Sequence, residues 1–314
     1  RYSMNKNRQR RHNFYYERLK REKLSYEKFK QEAKALTMPP IKMISRNIKQ
    51  PNQLSMVKQF LKWDYKLIKC VVPISGGKDS QACISLATKY FRPSNVIGLF
   101  CDTQFEHPET YAHVAKIGQL YGVDIITRSG GSVIEQCEKR GRFPSDQARF
   151  CTNYLKIDVS KKFYKWLATA QGMGFQVWYG MRTEESHQRA KRYADIIDDE
   201  LLPPHAVIGN YPKYLAKLGV MFRLPIIEWS ARAVFEYLGD DINPLYKDFD
   251  RVGCFPCLAG GDIWKEKAFA YDDFGRSQRE KVRPLEKQFN RSVFTSKGGQ
   301  RRNDESQLCL ICQI

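Results

Sequence analysis

From about residue 55 the chain alternates short apolar runs with longer stretches whose apolar residues recur every three or four positions. The runs at 67–74, 96–101, 123–127 and 175–179 predict strands, and the stretches at 79–91, 107–121, 132–139 and around 155–170 predict helices. Strands alternating with helices imply βαβ units and a parallel sheet, with ligands beyond the carboxyl ends of the strands. Upstream, Tyr15, Leu19, Tyr26, Phe29, Ala33 and Leu36 form one apolar stripe on a helix of about 14–36, closed by Met38-Pro-Pro40. Residues 193–222 hold a local acidic cluster and several turn signals. They read as a surface insertion near the mouth of the site, suited to choosing an acceptor.

Charge changes the picture at the amino-terminal end. The formal net charge is +19 over 314 residues, and residues 1–50 alone carry fifteen Lys/Arg against four Glu. The run Lys6-Asn-Arg-Gln-Arg-Arg-His12 is its densest part. A basic helical arm of this kind suits a phosphate backbone and makes DNA or RNA a candidate partner. No apolar run approaches about 20 residues, and no leader pattern opens the chain. The expectations are therefore a cytoplasmic protein with no membrane partner, able to form oligomers. Nine cysteines in that setting point to metal ligands or reactive thiols rather than disulfides. Three regions are expected: a basic extension at 1–54, an α/β domain at 55–230 and a Cys-rich region at 231–314.

The candidate chemistry starts at Ser75-Gly-Gly-Lys-Asp-Ser80, between the first predicted strand and helix. Strand, glycine turn and helix start present backbone N–H groups to a phosphate, and Ser75, Gly76, Gly77, Lys78, Asp79 and Ser80 supply turn, hydroxyls and charge. The spacing fits neither a Walker A loop nor a dinucleotide fingerprint. It resembles the PP-loop of the ATP pyrophosphatase (adenine nucleotide α-hydrolase-like) superfamily. That resemblance implies an α/β, parallel-sheet domain with helices on both faces and a loop gripping the β,γ-pyrophosphate of ATP. The implied attack is at the α-phosphate, helped by Lys78, Asp79 and Mg²⁺. Asp102 and Thr103 follow the second strand; Gly180 and Arg182 follow the fourth, within Tyr179-Gly-Met-Arg-Thr-Glu-Glu-Ser186. With the loop, these segments resemble the phosphoadenylyl sulfate (PAPS) reductase branch. Arg149-Phe-Cys-Thr-Asn-Tyr-Leu-Lys156, Pro225-Ile-Ile-Glu-Trp229, Asn243-Pro-Leu-Tyr246 and Arg251-Val-Gly-Cys-Phe-Pro-Cys257 extend the likeness over roughly residues 60–260.

The pairs Cys254-x-x-Cys257 and Cys309-x-x-Cys312 suit two thiolates on one metal each, or a four-thiolate zinc site. The resemblance implies instead that Cys151, Cys254 and Cys257 hold a 4Fe-4S cluster, with Cys309 or Cys312 as a fourth ligand. Free or redox thiols are the remaining alternative. Cys70, Cys83, Cys101 and Cys137 read as buried small hydrophobes, and His107 and His113 as capping or surface residues. The likeness is greatest to the ATP pyrophosphatases of DNA phosphorothioation systems. It implies an adenylating enzyme of sulfur transfer to nucleic acid, with a cysteine desulfurase as sulfur donor. The alternatives are a PAPS or adenylyl sulfate reductase, whose E-C-G-x-H segment does not occur in these residues, and a non-catalytic nucleotide-binding regulator of DNA.

Overall fold

A computed structural model of the chain describes residues 67–145 and 148–294. The basic arm, Cys309 and Cys312 lie outside the described residues. The chain divides into two units, 1–65 and 66–314, and the second contains everything described below.

Strand β1 (Cys70–Ile74) is buried at all five positions, as an apolar run at the centre of a sheet must be. Helix α1 (Lys78–Tyr90) leads back to β2 (Val96–Asp102), α2 (Pro108–Tyr121) to β3 (Asp124–Ser129), and α3 (Val133–Arg140) follows. Helix α4 (Asp158–Gln171) precedes β4 (Gln176–Trp178), and β5 is Met221–Arg223. The sheet has the order β3-β2-β1-β4-β5 and every pairing is parallel. The order reverses between β1 and β4, so a crevice opens where the loops after these two strands part.

Side chains alternate across the sheet. Cys70, Val72 and Ile74 join a core with Ile84 of α1, Ile117 of α2 and Val234 of α5 (Ala231–Leu238). On the other face the Cys101 thiol lies 3.8 Å from the Lys156 carbonyl, and the Tyr164 ring of α4 packs on Phe175 and Phe222. Helices therefore cover both faces, as the sequence pattern implied. A second core links α3 to α6 (Asp262–Ala270) and α7 (Asp273–Phe289) through Val133, Cys137, Phe269, Val282 and Leu285. No helix among the described residues is long and apolar enough to cross a membrane.

Two places differ from the sequence reading. The stretch 193–222 is not a plain surface excursion: Tyr193, Val207, Tyr211, Leu215 and Phe222 are buried, and its last two residues open β5. Tyr211 closes a buried hydroxyl chain, Tyr164–Tyr179–Tyr211–Ser160, with links of 3.2, 2.7 and 2.6 Å. The helix read around 155–170 is entered through Phe150–Thr152 and a wide π turn, Asn153–Ile157, which carries Lys156 into the interior.

Candidate active site

The turn after β1 is shaped by its own side chains. Gly76 has φ +74°, and a Cβ there would lie 2.6 Å from Thr110 Cγ2. Ser80 Oγ donates to the Gly77 carbonyl (2.9 Å) and accepts from the Ser75 amide (3.2 Å). Asn243 Nδ2 donates to the Gly76 carbonyl at 3.1 Å. Helix α1 thus begins at a fixed loop beside the crevice, and a helix start is the geometry that favours an anion.

The charged residues converge there. Lys78 Nζ donates to Asp79 Oδ2 at 3.0 Å, Arg182 Nε donates to Asp79 Oδ1 at 2.6 Å, and Arg182 Nη1 donates to Glu184 at 2.6 Å. Lys78, Asp79 and Arg182 are all buried. Gly180 lets β4 come this close: a Cβ on it would stand 2.7 Å from the Asp79 carbonyl and 2.9 Å from the Ser80 amide. In front lies a cavity of about 470 Å³, lined among others by Ser75, Lys78, Arg182, Phe235, Tyr246 and Arg251. A more open groove of about 600 Å³ between α2 and β3 has no lysine or arginine in its lining, so it is the poorer match to a phosphate.

Asp102 and Thr103, the other predicted nucleotide residues, line neither cavity wall beside Lys78. Asp102 Oδ1 accepts from the Gln104 amide (2.8 Å) and the Tyr111 hydroxyl (2.7 Å). Thr103 Oγ1 donates to Glu106 Oε1 at 2.7 Å and lies 3.4 Å from Cys254 Sγ. Thr103 belongs to a separate polar cluster after β2, with Glu106, Lys156 and Cys254. Burial pushes the Glu106 carboxyl upward while Lys156 opposes it. Withdrawal from water, then the Glu106 carboxylate, pushes the Cys254 thiol up to about 12. The loop is pinned there by the Phe255 amide donating to the Phe105 carbonyl at 2.6 Å.

Cys151 and Cys254 border the same core, but Cys254 Sγ faces Glu106 (3.9 Å) and Thr103. Among the described residues no three His, Cys, Asp or Glu side chains are placed to hold a metal. The described part of the expected ligand set, Cys151, Cys254 and Cys257, does not by itself form a metal-binding group, and Cys309 and Cys312 lie outside the described residues. Cys70, Cys83, Cys101 and Cys137 are buried as expected, and burial raises all four thiols, leaving them unreactive. His107 caps α2 by accepting from the Glu109 amide and meets Asp272 at 2.8 Å; His113 bonds Gln81 at 2.8 Å, buried rather than at the surface.

Sequence reasoning assigned no role to Asn243, Tyr246, Phe235, Glu106 or Lys156. The Asn-Pro-Leu-Tyr stretch was visible as a motif, but only the fold brings it against Gly76 and Lys78.

A parallel sheet with a glycine turn and helix start at its switch point, and a lysine and arginine sharing one aspartate there, defines a PP-loop α/β protein. Residues 69–259 match the family model described as the phosphoadenosine phosphosulfate reductase domain, and the chain belongs to that family. It is 32% identical over 206 residues to an uncharacterized protein of Methanocaldococcus jannaschii, covering 64% of this chain and 38% of that one. An uncharacterized 37.8 kDa protein of Escherichia phage 186 is 26% identical over 238 residues, 60% of this chain and 66% of that one. The chain thus spans less than two thirds of either relative's length. A phosphoadenosine 5'-phosphosulfate reductase of Sodalis glossinidius is 23% identical over 64% of this chain and 75% of its own. Among solved structures, the U34-tRNA thiolase NcsA from Methanococcus maripaludis with its 4Fe-4S cluster aligns at a TM-score of 0.38 and 15% identity, over 83% of this chain and 88% of that one. A likeness that low has no bearing on function.

Proposed function

We propose that this protein is an ATP-dependent, AMP- and pyrophosphate-forming enzyme that adenylates its substrate. The observation that carries the reading is the convergence of Lys78 and Arg182 on Asp79 at the mouth of an amide-lined loop. The loop amides and Lys78 hold the β,γ-phosphates of ATP, which arrives with Mg²⁺ as its counter-ion. An acceptor oxygen attacks the α-phosphorus, the bond to the bridging oxygen breaks, and pyrophosphate leaves with its charge held by those donors. Arg182 is free to trade its aspartate for phosphate oxygens, since a guanidinium recognises both.

The purpose we propose is sulfur incorporation: a sulfur nucleophile displaces AMP and takes the place of the acceptor oxygen. Membership of a family named for a sulfonucleotide reductase supports sulfur chemistry. The basic segment at 1–50 supports nucleic acid as the acceptor, and a cysteine desulfurase is the proposed sulfur source. No step is assigned to a metal cluster. A second reading, reduction of PAPS or adenylyl sulfate, is favoured by relatives that carry the reductase name. Release of AMP and pyrophosphate from ATP, stimulated by DNA or RNA, tests the first reading. Sulfite release from PAPS with thioredoxin, and no ATP cleavage, would replace it with the second.

A further inference from the structure

Tyr246 lies far along the chain from the phosphate loop yet occupies it. It stands on the turn Pro244–Lys247, whose start is tied down by Asn243: Asn243 Oδ1 accepts from the Leu245 amide at 3.0 Å, and Asn243 Nδ2 donates to the Gly76 carbonyl. The Tyr246 hydroxyl accepts from the Lys78 backbone amide at 2.9 Å. That amide is the first of α1, where no carbonyl of the helix can reach it, and it is among the donors an anion at a helix start would use. A Cβ on Gly77 would sit 3.2 Å from the same hydroxyl, so Gly77 keeps the approach open.

The ring does a second thing. It lies 5.6 Å from Lys78 Nζ, the Phe235 ring lies 5.3 Å from the same atom, and the two rings meet edge to face at 5.3 Å. Both rings line the cavity. The ammonium is thus kept between two aromatic rings and Asp79, and the amide beside it is already satisfied by a neutral oxygen.

We propose that Tyr246 is a phosphate-competing residue: its hydroxyl stands where a phosphate oxygen binds, and anion entry turns the ring away from the Lys78 amide. The inference rests on reading this cavity as the phosphate site. A charged oxygen accepts a hydrogen bond about twice as strong as a neutral one, so a phosphate displaces the hydroxyl. It does so at the cost of the bond that was there.

The test is calorimetric titration of pyrophosphate into the full-length wild type, Tyr246→Phe and Lys78→Ala. Phenylalanine keeps the ring contacts and removes only the competitor, so fold is preserved. Tyr246→Phe is expected to bind pyrophosphate roughly 2- to 10-fold more tightly, the net worth of one hydrogen bond, and Lys78→Ala more weakly. Equal or weaker binding by Tyr246→Phe, with Lys78→Ala still weakened, overturns the competition and leaves the phosphate site standing. No pyrophosphate binding by any of the three proteins overturns both.

Discussion

The polar centres after β1 and after β2 contain the same kinds of group, a lysine and a carboxylate each, and handle them in opposite ways. After β1, Lys78, Asp79 and Arg182 are linked at the wall of an accessible cavity, and the backbone supplies further donors. After β2, Glu106, Lys156 and Thr103 are buried beside a partly buried Cys254, and withdrawal from water lifts both the carboxyl and the thiol. On the proposed reading the first arrangement exchanges its internal partners for a ligand's phosphates. In the second, the Phe255 amide bonded to the Phe105 carbonyl and the Thr103–Cys254 contact tie the loop of Cys254 to the residues after β2. On that reading a charge set facing a cavity, rather than proximity to the sheet's carboxyl edge, makes the site.

The sharpest break between the two regions comes from Lys156→Met. Removing one partner from a buried charged neighbourhood is expected to cost about 3–5 kcal/mol, read from denaturant midpoints, while pyrophosphate affinity stays unchanged. The loss has a pH sign. A buried Glu106 without Lys156 holds its proton above the unfolded value of 4.5, so the variant's deficit grows as pH rises and shrinks as pH falls toward that value. Adding Glu106→Gln should recover most of it, as a double-mutant cycle would reveal.

The reverse signature belongs to Lys78→Ala: a loss of about 10²- to 10³-fold in ATP turnover, with a smaller shift in unfolding midpoint than Lys156→Met because Arg182 still pairs Asp79. Gly180→Ala should show both, because its Cβ meets Asp79 and Ser80 backbone that cannot move aside. A stability cost of about 1–3 kcal/mol is expected, with weakened phosphate binding. A smaller effect, about 1 kcal/mol, is expected for Tyr211→Phe, which breaks the buried hydroxyl chain to Tyr179 and Ser160.

A pH dependence separates the regions in another way. Burial, then Lys116, lowers the His113 imidazole to about 4 from its usual 6.5. The unfolded chain therefore binds a proton that the folded chain refuses between those values. Stability falls as pH drops from about 6.5 toward 4, and His113→Gln should flatten that part of the urea-midpoint profile.

The strand-and-helix alternation and the phosphate loop were legible because both are local. β1 is a continuous apolar run, and the spacing from Ser75 to Ser80 encodes its turn without help from elsewhere. Gly180 and Arg182 were legible for the same reason, one strand later. β5 was not, since three residues, Met221–Arg223, carry no period to read, and the aromatic residues that bury 193–222 are spread over several turns. The place of Tyr246 at the loop and the Thr103–Glu106–Lys156–Cys254 cluster depend on residues about 50 to 170 positions apart along the chain. The grouping of Cys151 with Cys254 and Cys257 was implied by the family resemblance; the contacts of the Cys254 thiol with Thr103 and Glu106 became visible only in the fold.

The central claim is that the loop after β1 directs cleavage to the α-phosphorus. Phosphorus NMR of ATP incubated with the full-length protein, Mg²⁺ and nucleic acid reads this directly. The account predicts AMP and pyrophosphate as the only phosphorus products, both absent with Lys78→Ala; ADP with orthophosphate would contradict it.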